Sequence, residues 1–75
     1  MTPRSGDVVH VTAAASVQFA VPLRFRVIRV HDWATYEGWA WLDGYVLDAT
    51  GSATERRSLL VRLAGLRPYP RLEKP

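Results

Sequence analysis

The residues best equipped for chemistry in this chain are aromatic rings and guanidinium groups. Trp39, Trp41 and Tyr45 stand at even spacings, so on an extended strand they share one face. Arg24, Arg26 and Arg62 lie in the segments before and after them. Rings beside guanidiniums serve two kinds of recognition. They anchor a protein partner, the mixture enriched at interface hot spots, or they stack bases while the cations meet phosphate. Acid–base chemistry has poorer material. His10 and His31 are the only histidines, and a lone strand histidine is more often structural than a general base. Asp32, Glu37, Asp43, Asp48 and Glu55 form no placed acid/base couple. The serines lack a nucleophile elbow, His31, Asp32 and Glu37 lack a metal-ligand spacing, and no Gly-rich phosphate loop follows a strand. The expectation is a binding protein, not an enzyme, with no cofactor, no metal and no identifiable small-molecule substrate.

The elements that must hold these residues are strands, because the apolar period is two wherever it can be read. Asp7–Thr12 is a β run by side-chain type. Ala13–Pro22 lacks alternation and reads as a long loop. Leu23–Val27 alternates, and Ile28–Val30 continues with shifted phase, which implies a bulge near Val27 or a strand end covered on both sides. His31–Thr35 is a connection and Tyr36–Asp48 a long strand. Asp43-Gly44 inside it is either a hairpin turn or a kink in one bent strand; the kink is preferred. Ala49–Thr54 is a turn, Ser58–Leu63 its return strand, Leu63–Leu66 one turn of helix, and Arg67–Tyr69 an edge strand that tolerates proline. Residues 1–6 form a flexible start, residues 7–69 the domain, and residues 70–75 a tail.

Pairing His31 with Tyr36 places Phe25 opposite Leu42 and Val27 opposite Ala40 on one face. The other face receives Arg24 opposite Asp43, Arg26 opposite Trp41 and Ile28 opposite Trp39. Pairing Asp48 with Arg57 sets Val46 against Leu59, Gly44 against Val61 and Leu42 against Leu63, with Tyr45 by Leu60 and Asp43 by Arg62 behind them. A one-residue slip would mix the faces. The expected core is therefore Val8 or Val9 with Val11, Phe25, Val27, Ala40, Leu42, Val46, Leu59, Val61, Leu63 and Leu66. The expected binding face is Trp39, Trp41, Tyr45, Ile28 and Leu60, bordered by Arg24, Arg26 and Arg62, with Asp43 as a structural ion pair to Arg24 or Arg62.

Five short strands, a long first loop and a helical turn before the last strand resemble the layout of SH3-like and Tudor-like small barrels. The pieces that carry the likeness are Gly6-Asp7-Val8-Val9-His10-Val11 and Val61-Arg62-Leu63-Ala64-Gly65-Leu66-Arg67-Pro68. The resemblance implies an all-β, five-stranded SH3-like small barrel. The Ala-Leu-Tyr-Asp-Tyr run of peptide-binding SH3 domains is missing, so proline-rich peptide recognition does not follow. Trp39-Ala40-Trp41-Leu42-Asp43-Gly44-Tyr45 is also similar to short uncharacterised proteins of high-GC bacteria, a likeness that implies no function.

Composition narrows the setting. The chain of 75 residues has no cysteine, which removes disulfides and Cys-type zinc sites. At this length a single core is meagre, so self-association is a natural supplement. The longest stretch without Asp, Glu, Lys or Arg, Val8–Leu23, is too short and polar to span a bilayer, and Asp7 stands where a signal peptide carries positive charge. Cytoplasmic residence without membrane contact is the expectation. Residues 1–30 and 56–75 are basic while residues 31–55 carry five acids and no cation. The net charge of +3 permits an acidic partner. A second copy of the chain or another protein is the leading partner, since mixed charge around aromatics suits a protein surface. Nucleic acid is the alternative; Asp43, Glu37 and Asp48 beside the rings weigh against it, because phosphate neutralisation supplies much of that affinity. If the rings are not a surface, the loop Ala13–Pro22 or the tail must cover them, with arginine stems laid over the indoles.

Overall fold

The computed structural model describes residues 1–69, and the expected tail, residues 70–75, lies outside them. Five strands are present: β1 (Val8–Val11), β2 (Leu23–His31), β3 (Trp39–Leu47), β4 (Ala53–Arg62) and β5 (Arg67–Pro68). A single 3-10 turn, Leu63–Gly65, precedes β5. All pairings are antiparallel and the order is β4-β3-β2-β1-β5. The fold is thus all-β, in one sheet that is not closed into a barrel; β4 and β5 are its two edges.

Both expected registers are wrong by four residues. Phe25 faces Val46 rather than Leu42, and Val27 faces Gly44 rather than Ala40. Leu42 faces Leu59 rather than Leu63, and Tyr45 faces Arg56 rather than Leu60. The reason lies in the connections. Residues 32–38 make a longer link than assumed, closed by Trp39 N–H on the Tyr36 carbonyl at 3.0 Å. The next turn is tighter than assumed. Asp48 Oδ1 accepts from Thr50 N–H at 2.9 Å, Thr50 Oγ1 at 2.6 Å and Ser52 N–H at 3.0 Å. Gly51, at φ +86°, supplies the left-handed residue such a turn needs. β4 therefore starts at Ala53, five residues before the expected Ser58. Because that slip is even, the side chains of β3, β4 and β2 as far as Val27 keep their expected face. Beyond the bulge the offset is five, which sets Arg29 and His31 on the outer face opposite Asp43 and Trp41, and Val30 on the inner face opposite Leu42. The bulge falls between Val27 and Arg29, near the expected place, and β3 passes through Gly44 without a turn.

The inner face carries the core. Val9, Val11, Phe25, Val27, Leu42, Leu59, Val61 and Leu66 are buried in one cluster, and Val46 and Leu63 pack at its margin half-buried. Val9, rather than Val8, is the inward residue of β1. Two members were not foreseen: Ala15 and Phe19, from the loop between β1 and β2. That loop lies over the core, anchored where Arg62 N–H donates to the Ala15 carbonyl at 2.8 Å. The start of the chain also makes contacts. Pro3 is buried, and the Met1 amino group donates to the Leu63 carbonyl at 3.0 Å.

Candidate interaction surface

The outer face of β2, β3 and β4 is a stack of cross-strand rows. Arg62 faces Trp39; Leu60 faces Trp41, which faces His31. Ser58 faces Asp43, which faces Arg29. Arg56 faces Tyr45, which faces Arg26. Trp39, Trp41, Leu60 and Arg62 thus meet at one end of the sheet, with the Arg62 guanidinium 5.4 Å from the Trp39 ring centroid. Tyr45 and Arg26 sit two rows beyond Trp41. Ile28 is the unpaired, half-buried residue of the bulge. Arg24 is not part of this end: it faces Leu47 and His10, with its guanidinium 4.0 Å from the Tyr69 ring centroid. The expected nine-residue patch is therefore divided along the strands by the four-residue register difference.

Asp43 is an ion-pair residue, but its partner is Arg56 rather than Arg24 or Arg62. Arg56 Nε donates to Oδ1 at 3.3 Å and Nη2 to Oδ2 at 2.7 Å, a fork geometry. The correct register puts Asp43 and Arg56 on adjacent rows of neighbouring strands. The carboxylate is covered, with Asp43 only 7% exposed. The hydrogen bond from Arg56 holds the Asp43 carboxyl below its ordinary 3.8, against the opposing effect of its own desolvation. The same bond holds Arg56 above its ordinary value.

A depressed carboxyl stabilises the fold above its unfolded-state value, and that contribution disappears as pH falls through the lower native one. Asp43→Asn is therefore expected to melt below the parent at neutral pH, with the gap closing below about 3.8. Circular-dichroism melts across that range check this. Asp48, also held low by Thr50 and Ser52, is unchanged in both proteins and cancels from the difference. A gap of constant size at every pH would show that the ion pair is not the cause.

The aromatic end contains residues that strand periodicity missed. Trp33 and Tyr36, in the 32–38 link, are 51% and 75% exposed. The Trp33 ring stacks on His31, with centroids 3.8 Å apart and planes 8° from parallel. It also meets Trp41 edge-on at 5.8 Å and 62°. His31 Nδ1 is buried with no hydrogen-bond partner among the described residues. Val30, exposed but opposite Leu42, lies on the other face of the sheet and does not join these rings. Trp33 stood in the expected connection His31–Thr35 and Tyr36 at the head of the expected strand Tyr36–Asp48; β3 begins only at Trp39, which leaves both on the link. The Ala13–Pro22 loop does not cover the indoles, since its anchors Ala15 and Phe19 are in the core on the opposite face.

The exposed rings are bordered by charge of both signs. Arg29 and Arg62 are exposed on the strands, and Asp32 and Glu37 on the link. His10 is distant from His31 in the sheet, its ring edge-on to Tyr69 at 5.8 Å. Among the described residues, no three of His, Asp and Glu gather to hold a metal ion, and no helix is long and apolar enough to cross a membrane. Comparison with family models, curated proteins and solved structures finds no match to this chain.

Proposed function

We propose that the chain is a non-catalytic binding module of SH3-like small-barrel layout that recognises protein, a second copy of itself included, through its aromatic end. The strand order β4-β3-β2-β1-β5 and the 3-10 turn before β5 support the layout. The observation that carries the binding reading is Trp33. A half-exposed indole stacked on His31 and edge-on to Trp41 is an aromatic held rigid at the surface, with Tyr36 exposed in the same link. Rigid aromatics lose little freedom on binding, and Trp, Tyr and Arg dominate hot spots. Arg29 and Arg62 with Asp32 and Glu37 give such a surface charges that a rotated copy of itself can complement.

Sedimentation equilibrium over a wide concentration range tests this. Mass is expected to rise with concentration, and Trp33→Ala to weaken association by about tenfold or more, the loss of ~1.4 kcal/mol or more typical of an anchor. Trp41→Ala, one position behind it, should act in the same direction. A folded Trp33→Ala protein that associates as the parent does would remove this surface from consideration. Nucleic acid is the weaker reading here, since Arg24 and Arg26 lie away from Trp39 and Trp41 while Asp32 and Glu37 border the rings.

A further inference from the structure

A separate feature lies at the other end of the outer face, independent of the aromatic surface. A groove of about 790 Å³ is bounded by β1, β2 and the turn between β3 and β4. Its size falls among small-ligand sites, roughly 300–1,000 Å³. It is far larger than a lone phosphate needs. Two arginines line it. Arg24 and Arg26 are two residues apart on β2, hence on one face and about 7 Å apart along the strand.

Arg24 is held in place before any ligand arrives. Its guanidinium lies over the Tyr69 ring and one terminal nitrogen donates to the Tyr69 hydroxyl. Its other terminal nitrogen, Nη1, lies beside Gly51 of the β3–β4 turn, 4.0 Å from where a Cβ there would stand. A planar cation fixed in this way has less freedom to lose on meeting an anion. Arg26 is exposed and faces Val8 across the strands.

Neither arginine is neutralised by a described carboxylate, because the one ion pair among the described residues joins Arg56 to Asp43. Asp7 lines the groove and Asp48 lies near it, but the hydrogen bonds their carboxylates make are to other groups. Asp7 Oδ2 accepts from Arg4 N–H at 2.9 Å, and Asp48 Oδ1 serves Thr50 and Ser52 in its own turn. Beside the cations the lining has an apolar part, Leu47, Ala49 and Val8, and a polar part that includes His10, Thr50 and Asp7. One fixed and one exposed guanidinium next to an apolar wall fit a ligand with a phosphoryl group and a flat, poorly hydrated body. We infer that this groove binds a nucleotide, its phosphate held by Arg24 and Arg26 and its base against Leu47, Ala49 and Val8.

The same chemistry comes from a free nucleotide or from one unit of a single strand, and a titration followed by amide NMR separates them. The probes are adenosine monophosphate, inorganic phosphate, adenosine, and a 5′-phosphorylated oligodeoxyadenylate. The monophosphate is expected to shift the amides of Arg24, Arg26, Thr50 and Gly51, and to bind about tenfold or more tightly than phosphate or adenosine alone. Arg26→Gln, at an exposed position, should weaken it at least about fivefold with unchanged melting. Arg57→Gln, outside the groove, should bind as the parent does. An oligonucleotide that binds more tightly than the monophosphate, with a steep salt slope, identifies a strand as the source; equal affinity identifies the free nucleotide. Absence of groove shifts at millimolar monophosphate overturns the inference. So does a response matched by phosphate alone, or one indifferent to Arg26→Gln.

Discussion

Gly44→Ala is expected to leave the protein largely unfolded at 25 °C. A Cβ at this position would stand 2.1 Å from the Arg26 carbonyl oxygen and 2.7 and 2.9 Å from two carbons of the Phe25 ring. The ring could turn away, but the carbonyl belongs to the backbone of the neighbouring strand. β2 and β3 would have to part at the centre of the sheet, where Val27 faces Gly44. Overpacking of an ordinary core costs about 1–3 kcal/mol. A clash with backbone belongs at or above the top of that range. A core of this size rarely supplies more than about 3–5 kcal/mol in total, so the loss is decisive. Far-UV circular dichroism and a thermal melt measure it. Pairing Gly44→Ala with Phe25→Leu should not restore folding, since a shorter side chain relieves the ring contacts and leaves the carbonyl contact intact. A Gly44→Ala protein melting within a few degrees of the parent would show that the strands do not approach this closely.

Phe25→Ala is expected to be comparably severe, for the opposite reason. Phe25 is fully buried, and its ring occupies the space that Gly44 leaves empty. Removing it opens a cavity under the middle of the sheet, at a cost of about 3–5 kcal/mol for a buried aromatic. Urea titration followed by tryptophan emission reads this out, with Trp39 and Trp41 on the opposite face as reporters. A midpoint lowered only slightly would mean that the loop bearing Phe19 collapses into the space. Phe25 and Gly44 are thus one packing unit. Residue type alone puts Phe25 in the core and favours a strand over a turn at Gly44; the structure adds that the missing side chain at Gly44 is what gives the ring its room.

Several features were legible because they depend on residue type and alternation. Trp39, Trp41 and Tyr45 share a face, and Phe25, Val27, Leu42 and Val61 share the other. The bulge after Val27 and the single turn before β5 follow from local phase and local turn chemistry. The binding patch fared less well. Trp39, Trp41, Leu60 and Arg62 share the expected face, but Leu60 meets Trp41 rather than Tyr45, Arg62 meets Trp39 rather than Asp43, and Arg24 belongs with Tyr69, a contact between residues 45 positions apart. Asp43 found Arg56, which no pattern in the chain singled out.

What the sequence determined by itself was the class of structure and the two-sided sorting of its side chains, since a strand's period is two whatever it pairs with. Tertiary structure decided which rows meet. Register depends on how many residues each connection consumes, and that was settled by the Asp48 carboxylate drawing its turn tight and by the longer 32–38 link. A four-residue slide keeps faces and exchanges neighbours, and only beyond the bulge, at Arg29–His31, does the face change as well. The slide moved Arg24 away from the indoles into the groove, and the longer link left Trp33, and Tyr36 that strand alternation had claimed, exposed outside the strands.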